Sequence, residues 1–308
     1  MKFAMGPHKW EETIADITAA GHELVELEEA EAYFNTSQNP AQFPQLPDNI
    51  RWVQHCYAGV NGFIDHGILT ADGIPWANAA GAFALPVAES ALALLLSQAH
   101  THKAFALAAS WSVAREVDSS QRWLYSPREP KRVLIVGAGG IGKQLIKLME
   151  PFGVHVTAVT RSGREVPGAQ ENVAMVDVDQ HWGQADFVVS ILPLTEETAG
   201  VIDAKVFAAM KETAVFVNVG RGATVVTDDL VEALRTGQIS GAGLDVMDPE
   251  PLPDGHPLYA LPNATLTPHQ AASSPVAKMH MGAVFNANAE AFAQGRRMPT
   301  QVDVDAGY

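Results

Sequence analysis

The sequence predicts an α/β protein with two parallel-sheet domains, one inserted into the other, and three observations carry that expectation. Short β-branched runs alternate with helical patterns along most of the chain, the order in which parallel strands and crossover helices are laid down. A glycine-rich turn at Gly137–Gly142 stands between one such run and an amphipathic helix. The 308 residues are also about twice the ~150 that serve as a soft prior for one domain.

The elements follow in chain order. Met1 to Met5 is apolar; Trp10, Ile14 and Ile17 share a helical face that Gly21 stops; His22 to Leu27 alternates as a strand. A connection rich in Pro40, Pro44 and Pro47 leads to a strand at Trp52 to Cys56, a loop through Gly59 and Gly62, and a short strand near Gly73 to Ala77. Val87 to Ala109 reads as one long helix, apolar nearly all round and therefore buried. Trp111 to Pro130 is irregular and carries Trp111, Trp123 and Tyr125.

Alternation then resumes. Strands are expected at Val133 to Val136, Val154 to Thr160, Phe187 to Leu192, Ala214 to Val219 and Gly241 to Val246, with a helix at Ile141 to Met149. Thr227 is expected to cap a helix that carries Leu230 and Leu234 on one face and ends at Gly237. A last helix, Pro275 to Gln294, precedes a tail from Pro299 to Tyr308 and returns the chain to the first domain. The expected division is 1–85 with 273–308 against 86–272.

Composition removes several classes of function. Lys and Arg number 20 against 35 Asp and Glu, a formal charge of −15, which repels a nucleic-acid backbone or an anionic membrane surface. Cys56 is the single cysteine, so no intramolecular disulfide forms, and no paired metal-ligand spacing appears. The longest apolar stretch, Ser90 to Leu96, falls far short of the ~20 residues of a membrane span. These features predict a cytoplasmic protein without metal.

Gly137-Ala138-Gly139-Gly140-Ile141-Gly142 fits GxGxxG in the strand–turn–helix setting the motif requires. Gly137 permits the tight turn, Gly139 lets a pyrophosphate approach the backbone, and Gly142 lets helix and strand pack closely. Eighteen residues after the last glycine, where an acid usually binds the ribose hydroxyls, stand Thr160-Arg161-Ser162, with Arg164 just beyond. Arg161 can pair with a 2′-phosphate that an acid would repel, while Thr160 and Ser162 can donate hydrogen bonds to it. NADP(H) is therefore expected in preference to NAD(H).

Three downstream segments each follow an expected strand and so fall at the carboxyl edge of the sheet: Asn218-Val219-Gly220-Arg221-Gly222, Leu244-Asp245-Val246 with Pro249-Glu250-Pro251, and Thr267-Pro268-His269. An arginine, a glutamate and a histidine can converge there. With Leu192-Pro193-Leu194-Thr195 and the helix start Val87-Ala88-Glu89, these motifs resemble, in order, those of the D-isomer-specific 2-hydroxyacid dehydrogenases, from about Ala58 through His269.

The resemblance implies two Rossmann-like domains, a doubly wound NAD(P)-binding domain inserted into a flavodoxin-like substrate domain, with catalysis in the cleft. It implies Arg221, Glu250 and His269 as the catalytic triad and Asp245 as the residue holding the nicotinamide carboxamide. Coenzyme contacts are implied at Gly137, Gly139, Gly140, Ile141, Gly142, Leu192, Pro193, Thr198 and Val219. In Tyr57-Ala58-Gly59-Val60-Asn61-Gly62, the amides of Ala58, Gly59 and Val60 match the loop that receives the substrate carboxylate, together with Arg221.

The chemistry suits those roles. Reduction of a 2-oxo acid needs hydride at the carbonyl carbon and a proton for its oxygen, which a histidine can supply near neutral pH. Glu250 would orient the imidazole, and Arg221 would clamp the carboxylate and polarise the carbonyl. The expected activity is reduction of a small 2-oxo acid, of the glyoxylate or hydroxypyruvate class, to its D-2-hydroxy acid. Alternatives are a bulkier 2-oxo acid or a non-catalytic NAD(P)-sensing relative. Formate dehydrogenases of this fold lack the glutamate, so Glu250 argues against that chemistry.

The family also implies a homodimer, in which Trp111 or Trp123 could reach the neighbouring active site. One departure stands beside the histidine. Gln270-Ala271-Ala272 replaces the family's more usual aliphatic residue followed by Ala-Gly, which alters the pocket near the nicotinamide.

Overall fold

A computed structural model describes residues 1–113, 117 and 120–305. The irregular stretch from Trp111 to Pro130 thus lies partly outside the described residues, at 114–116 and 118–119, and the C-terminal tail does so at 306–308. The chain divides into two compact units, one made of Met1–Phe83 and the segment from Ser273 onward, the other of Ala84–Ala272.

In the first unit, β1 (Lys2–Gly6), β2 (Glu23–Leu24), β3 (Ala32–Asn35), β4 (Trp52–His55) and β5 (Trp76–Ala77) form a parallel sheet in the order β2-β1-β3-β4-β5. This is the flavodoxin-like order. Every residue of β3 and β4 is buried, because helices and loops cover both faces of a parallel sheet. The helix Ser274–Ala293 covers one face, where Phe285 packs on Phe3, Phe34 and Trp52 at ring-centroid distances of 5.3, 6.0 and 5.1 Å. On the other face Phe43, Phe63 and Trp76 form a second aromatic layer.

The second unit holds β6 (Arg132–Val136), β7 (His155–Thr160), β8 (Glu171–Ala174), β9 (Phe187–Ser190), β10 (Val215–Asn218), β11 (Gly241–Leu244) and β12 (Ala264–Leu266). All are parallel, in the order β12-β11-β10-β9-β6-β7-β8. The doubly wound order is thereby extended by one strand, and the strand sequence reverses between β6 and β9. Ligands bind at such a switch point, outside the carboxyl ends of the strands.

Three local expectations are corrected, and two elements appear that none foresaw. The strand expected from His22 to Leu27 shrinks to Glu23–Leu24 and gives way to a 3-10 turn, Leu27–Glu29, while the central strand is Ala32–Asn35. Buried on both faces, that short segment shows no alternation to read. The helix expected from Val87 to Ala109 is broken into Ala84–Ala99 and His102–Ala108, with Thr101 between them at φ 54°. No glycine or proline marks the break. Thr227 is the first residue of its helix rather than the cap, and its hydroxyl donates to Asp248 O at 2.6 Å. Strand β8 and the helix Ala204–Ala209, capped by Asp203, were not expected at all.

Candidate active site

The loop after β6 needs its glycines for two different reasons. Gly137 sits at φ 89°, and a Cβ there would lie 2.8 Å from the Ile191 backbone, so both conformation and close approach demand glycine. Its amide and that of Ala138 donate to Val159 O at 3.0 and 2.8 Å, which pins the turn against β7. The helix Gly140–Met149 follows, its N-terminus at the carboxyl edge of the sheet, where first-turn amides lack intrahelical acceptors. A Cβ on Gly142 would come within 3.2 Å of Ala138 Cβ, a packing reason for that glycine.

Gly139 is different. A Cβ there would meet only Gly137 O, at 3.9 Å, so packing within the protein leaves that side of the loop open. Two buried hydroxyls flank the loop, Thr160 Oγ1 at the end of β7 and Ser190 Oγ at the end of β9, and neither has a partner among the described residues. An open backbone cradle between two unpaired hydroxyls fits a dinucleotide.

The residues expected around the adenosine end are not equivalent. Thr160 is buried and its hydroxyl lacks a partner among the described residues, whereas Arg161, Ser162 and Arg164 are exposed. Arg161 faces Glu197, 3.7 Å from it and likewise exposed. The sequence reading did not single out Glu197, because it lies 36 residues away, beyond both β8 and β9. Leu192 and Val219 are buried and Pro193 is exposed. Thr198 closes its own loop: its hydroxyl donates to Pro193 O at 2.6 Å and accepts from Thr195 N at 2.8 Å.

Arg221, Glu250 and His269 come together at the carboxyl ends of β10, β11 and β12. Gly220 N donates to Asn218 Oδ1 at 3.1 Å, and Arg221 O accepts from Asn218 Nδ2 and Thr224 Oγ1 at 3.1 and 2.7 Å. A Cβ on Gly222 would overlap the Met247 backbone, so glycine there is what lets the arginine turn lie against the segment after β11. Burial pulls the Arg221 guanidinium down from its ordinary pKa while the Glu250 charge pushes it back up. Guanidinium stays protonated under such shifts.

His269 Nδ1 lies 2.5 Å from Glu250 Oε1, and both side chains are about half open to solvent, at 49% and 39%. The histidine backbone has φ 53°, a conformation uncommon for a side chain with a Cβ and one that collects at active sites. Asp245 holds it there. The Asp245 carboxylate, 1% exposed, accepts from Thr267 Oγ1, Gln270 N and Ala271 N at 2.5, 2.8 and 3.0 Å, and Asp245 O accepts from His269 N at 2.8 Å. Sequence reasoning gave this aspartate a coenzyme role only; its visible work is to shape the histidine loop.

Within the first unit, the turn after β4 carries the other residues expected at the site. Ala58, Gly59 and Val60 are half-buried to buried, and their amides donate to no acceptor among the described residues. Successive unpaired amides form a cradle for an anion. Cys56 beneath them is fully buried, which pushes its thiol well above the ordinary range, so it serves as a small apolar side chain.

This architecture, a glycine-loop nucleotide domain with an Arg–Glu–His set on successive strand ends, defines an oxidoreductase class, and comparison with known proteins identifies it. Residues 92–271 match the NAD-binding domain of the D-isomer specific 2-hydroxyacid dehydrogenases, and the chain belongs to that family. An uncharacterized protein from the proB 3′ region of Corynebacterium melassecola is 47% identical over 309 residues, covering 100% of both chains.

The human glyoxylate reductase/hydroxypyruvate reductase is 38% identical over 169 residues, 54% of this chain and 52% of the human one. The match thus spans about half the length of that reductase. Among solved structures, an NADPH-dependent glyoxylate/hydroxypyruvate reductase from Sinorhizobium meliloti, in complex with NADP and sulfate, superposes with a TM-score of 0.80 at 26% identity. That match covers 100% of this chain and 99% of the other. No helix among the described residues is long and apolar enough to cross a membrane.

Proposed function

We propose that this protein reduces a small 2-oxo acid of the glyoxylate or hydroxypyruvate class to its D-2-hydroxy acid, using NADPH in preference to NADH. The observation that carries the reading is the 2.5 Å contact between Glu250 and His269 with the Arg221 guanidinium beside them. The glyoxylate reductase/hydroxypyruvate reductases of human and Sinorhizobium origin, to which the chain is similar, support the substrate class. Arg161 and Arg164, standing where an acid would disfavour a 2′-phosphate, support the coenzyme preference.

A bound nicotinamide supplies the hydride. Nδ1 of His269 is engaged by Glu250, so Nε2 is the ring nitrogen that exchanges a proton with the substrate oxygen. In the reductive direction the carbonyl carbon gains a C–H bond, the π pair moves onto oxygen, and His269 Nε2 delivers the proton that completes the hydroxyl. Arg221 pairs with the substrate carboxylate and stabilises the charge that develops on the carbonyl oxygen. The Ala58, Gly59 and Val60 amides form a receptor for the same type of anion.

The residues assigned to the coenzyme are the loop Gly137, Gly139, Gly140, Ile141 and Gly142, then Thr160, Arg161, Ser162 and Arg164 at the adenosine end, Leu192, Pro193, Thr198 and Val219, and Asp245 at the nicotinamide. A homodimer is part of this reading. Leu107, Trp111, Trp123 and Tyr125 are 61, 96, 56 and 57% exposed along one stretch of chain, an apolar surface of the kind that subunit contacts cover. Sedimentation giving a monomer would remove that part.

The test of the function is initial-rate reduction of glyoxylate, hydroxypyruvate, pyruvate and phenylpyruvate with each coenzyme, by wild type and His269→Ala. Turnover with NADPH preferred, lost in the variant, is the expected result. No turnover with any of the four acids refutes it.

A further inference from the structure

The geometry points to Asn78 as the positioning residue that aims the Ala58–Gly59–Val60 amides, acting through the Ala58 carbonyl and itself held by a buried polar network that reaches the C-terminal segment. This deepens the proposed function and rests on its assignment of that turn to the substrate carboxylate.

The turn's hydrogen bonding is one-sided. Its carbonyls are tied into the fold: Asn78 Nδ2 donates to Ala58 O at 2.9 Å and Ala79 N donates to Tyr57 O at 3.1 Å. Its amides are unpaired among the described residues. A peptide plane has a carbonyl on one edge and the next residue's amide on the other. Fixing Ala58 O inward therefore fixes Gly59 N–H outward.

Asn78 is 3% exposed, and each of its polar atoms has a partner. Its Oδ1 accepts from Ala80 N at 2.9 Å, and its own amide donates to Thr300 O at 3.0 Å. Its backbone oxygen accepts from Thr300 Oγ1 and Gln54 Nε2 at 2.7 and 3.0 Å. Because Oδ1 is committed to an N–H, the amide cannot flip, and Nδ2 is the atom that faces Ala58.

The support continues inward. Asn288, fully buried on the C-terminal helix, donates to Gln54 Oε1 and Thr300 Oγ1, both at 2.8 Å. Thr300 N donates back to Asn288 Oδ1 at 3.2 Å. A buried network with all members satisfied is rigid, since breaking any link strands a polar group away from water. Asn288 and Thr300 lie more than two hundred residues from Ala58 in the chain, which ties the turn to the returning C-terminal segment rather than to its own neighbours.

The test uses Asn78→Asp, which keeps size and the Oδ1 acceptor but puts an oxygen where Ala58 O needs a donor, and Thr300→Val as a milder variant. Amide chemical shifts of Ala58, Gly59 and Val60 are followed as oxalate is titrated, with thermal unfolding and NADPH affinity measured alongside. Wild-type amides should shift on binding. Asn78→Asp should weaken oxalate about tenfold or more, the effect of one lost hydrogen bond to a charged ligand, and Thr300→Val by a smaller factor. In turnover, KM for the 2-oxo acid should rise more than kcat falls, with NADPH affinity unchanged.

If wild-type amides do not shift with oxalate, the carboxylate reading of the turn fails and the inference fails with it. Equal shifts and equal affinity in wild type and folded Asn78→Asp leave that reading standing and overturn the role of Asn78. If Asn78→Asp does not fold, Thr300→Val decides by the same comparison.

Discussion

Glu250 Oε1 meets His269 Nδ1 at 2.5 Å while the His269 backbone is held at φ 53° by Asp245, so one acid orients the ring and another orients the chain that carries it. The two acids are separable by substitution. Glu250→Gln leaves the loop intact and loosens only the ring, and kcat should fall about ten- to a hundredfold with coenzyme affinity unchanged. His269→Ala removes the proposed proton donor, an expected loss of about 10²–10⁴ in kcat. Steady-state kinetics beside a coenzyme titration checks both.

Asp245→Asn should act through the loop. One of the amide donors at Gln270 or Ala271, or the Thr267 hydroxyl, would then face an NH₂ group in place of a carboxylate oxygen. The strained backbone at His269 would relax, and kcat should fall although histidine and glutamate are both present. Unchanged kcat in Asp245→Asn would show that the loop holds itself.

Two glycines of similar appearance should respond in opposite ways. Gly222→Ala drives a Cβ into the Met247 backbone, whereas Gly139→Ala meets nothing closer than 3.9 Å. The first should destabilise the fold, by about 2 kcal/mol or more, and displace Arg221. The second should leave the melting temperature nearly unchanged and weaken coenzyme binding, because the space it fills is the one proposed for the pyrophosphate. Calorimetry and fluorescence titration of the two variants separate packing glycine from binding glycine.

Coenzyme selectivity should be set by a pair. Arg161 has Glu197 as its neighbour at 3.7 Å, both exposed. A 2′-phosphate bound as proposed would meet one attractive and one repulsive charge. Arg161→Ala should erode the preference for NADPH, and Glu197→Gln should sharpen it, each by a few fold given solvent screening. Ratios of kcat/KM for the two coenzymes, taken at low and high salt, test this.

How much of this was visible beforehand depended on whether a residue acts locally or across the fold. The glycine turn could be read because its geometry is written in six consecutive residues, and Arg221, Glu250 and His269 could be read because each closes a recognisable strand-end segment. The turn of Asp245 toward Thr267, Gln270 and Ala271 was not visible, since those hydrogen bonds span more than twenty residues. Glu197 and the Asn78 network escaped for the same reason. Strands β3 and β8 have four residues each, too few for a period to emerge, and the break at Thr101 carries no glycine or proline to announce it.

His55 gives the first unit a pH dependence of its own. It is fully buried at the end of β4, ringed by Tyr57, Phe63 and Trp76. Asn35 Oδ1 accepts from Ser37 N, so Asn35 Nδ2 is the atom that donates to His55 Nδ1 at 3.1 Å, and the neutral ring carries its proton on Nε2. Burial lowers its pKa to about 4, only partly offset by the Gly59 backbone.

The unfolded chain, with a histidine near 6.5, then binds more protons than the folded one between those two values. Stability is complete above about pH 6.5 and falls as pH drops toward 4, by roughly 2 kcal/mol at pH 5 if the full shift is expressed. Urea unfolding at pH 7.5 and pH 5 should show this loss in wild type. His55→Gln, which cannot protonate, should show less of it. An equal acid loss in the variant would assign the slope to other groups and leave His55 without a part in it.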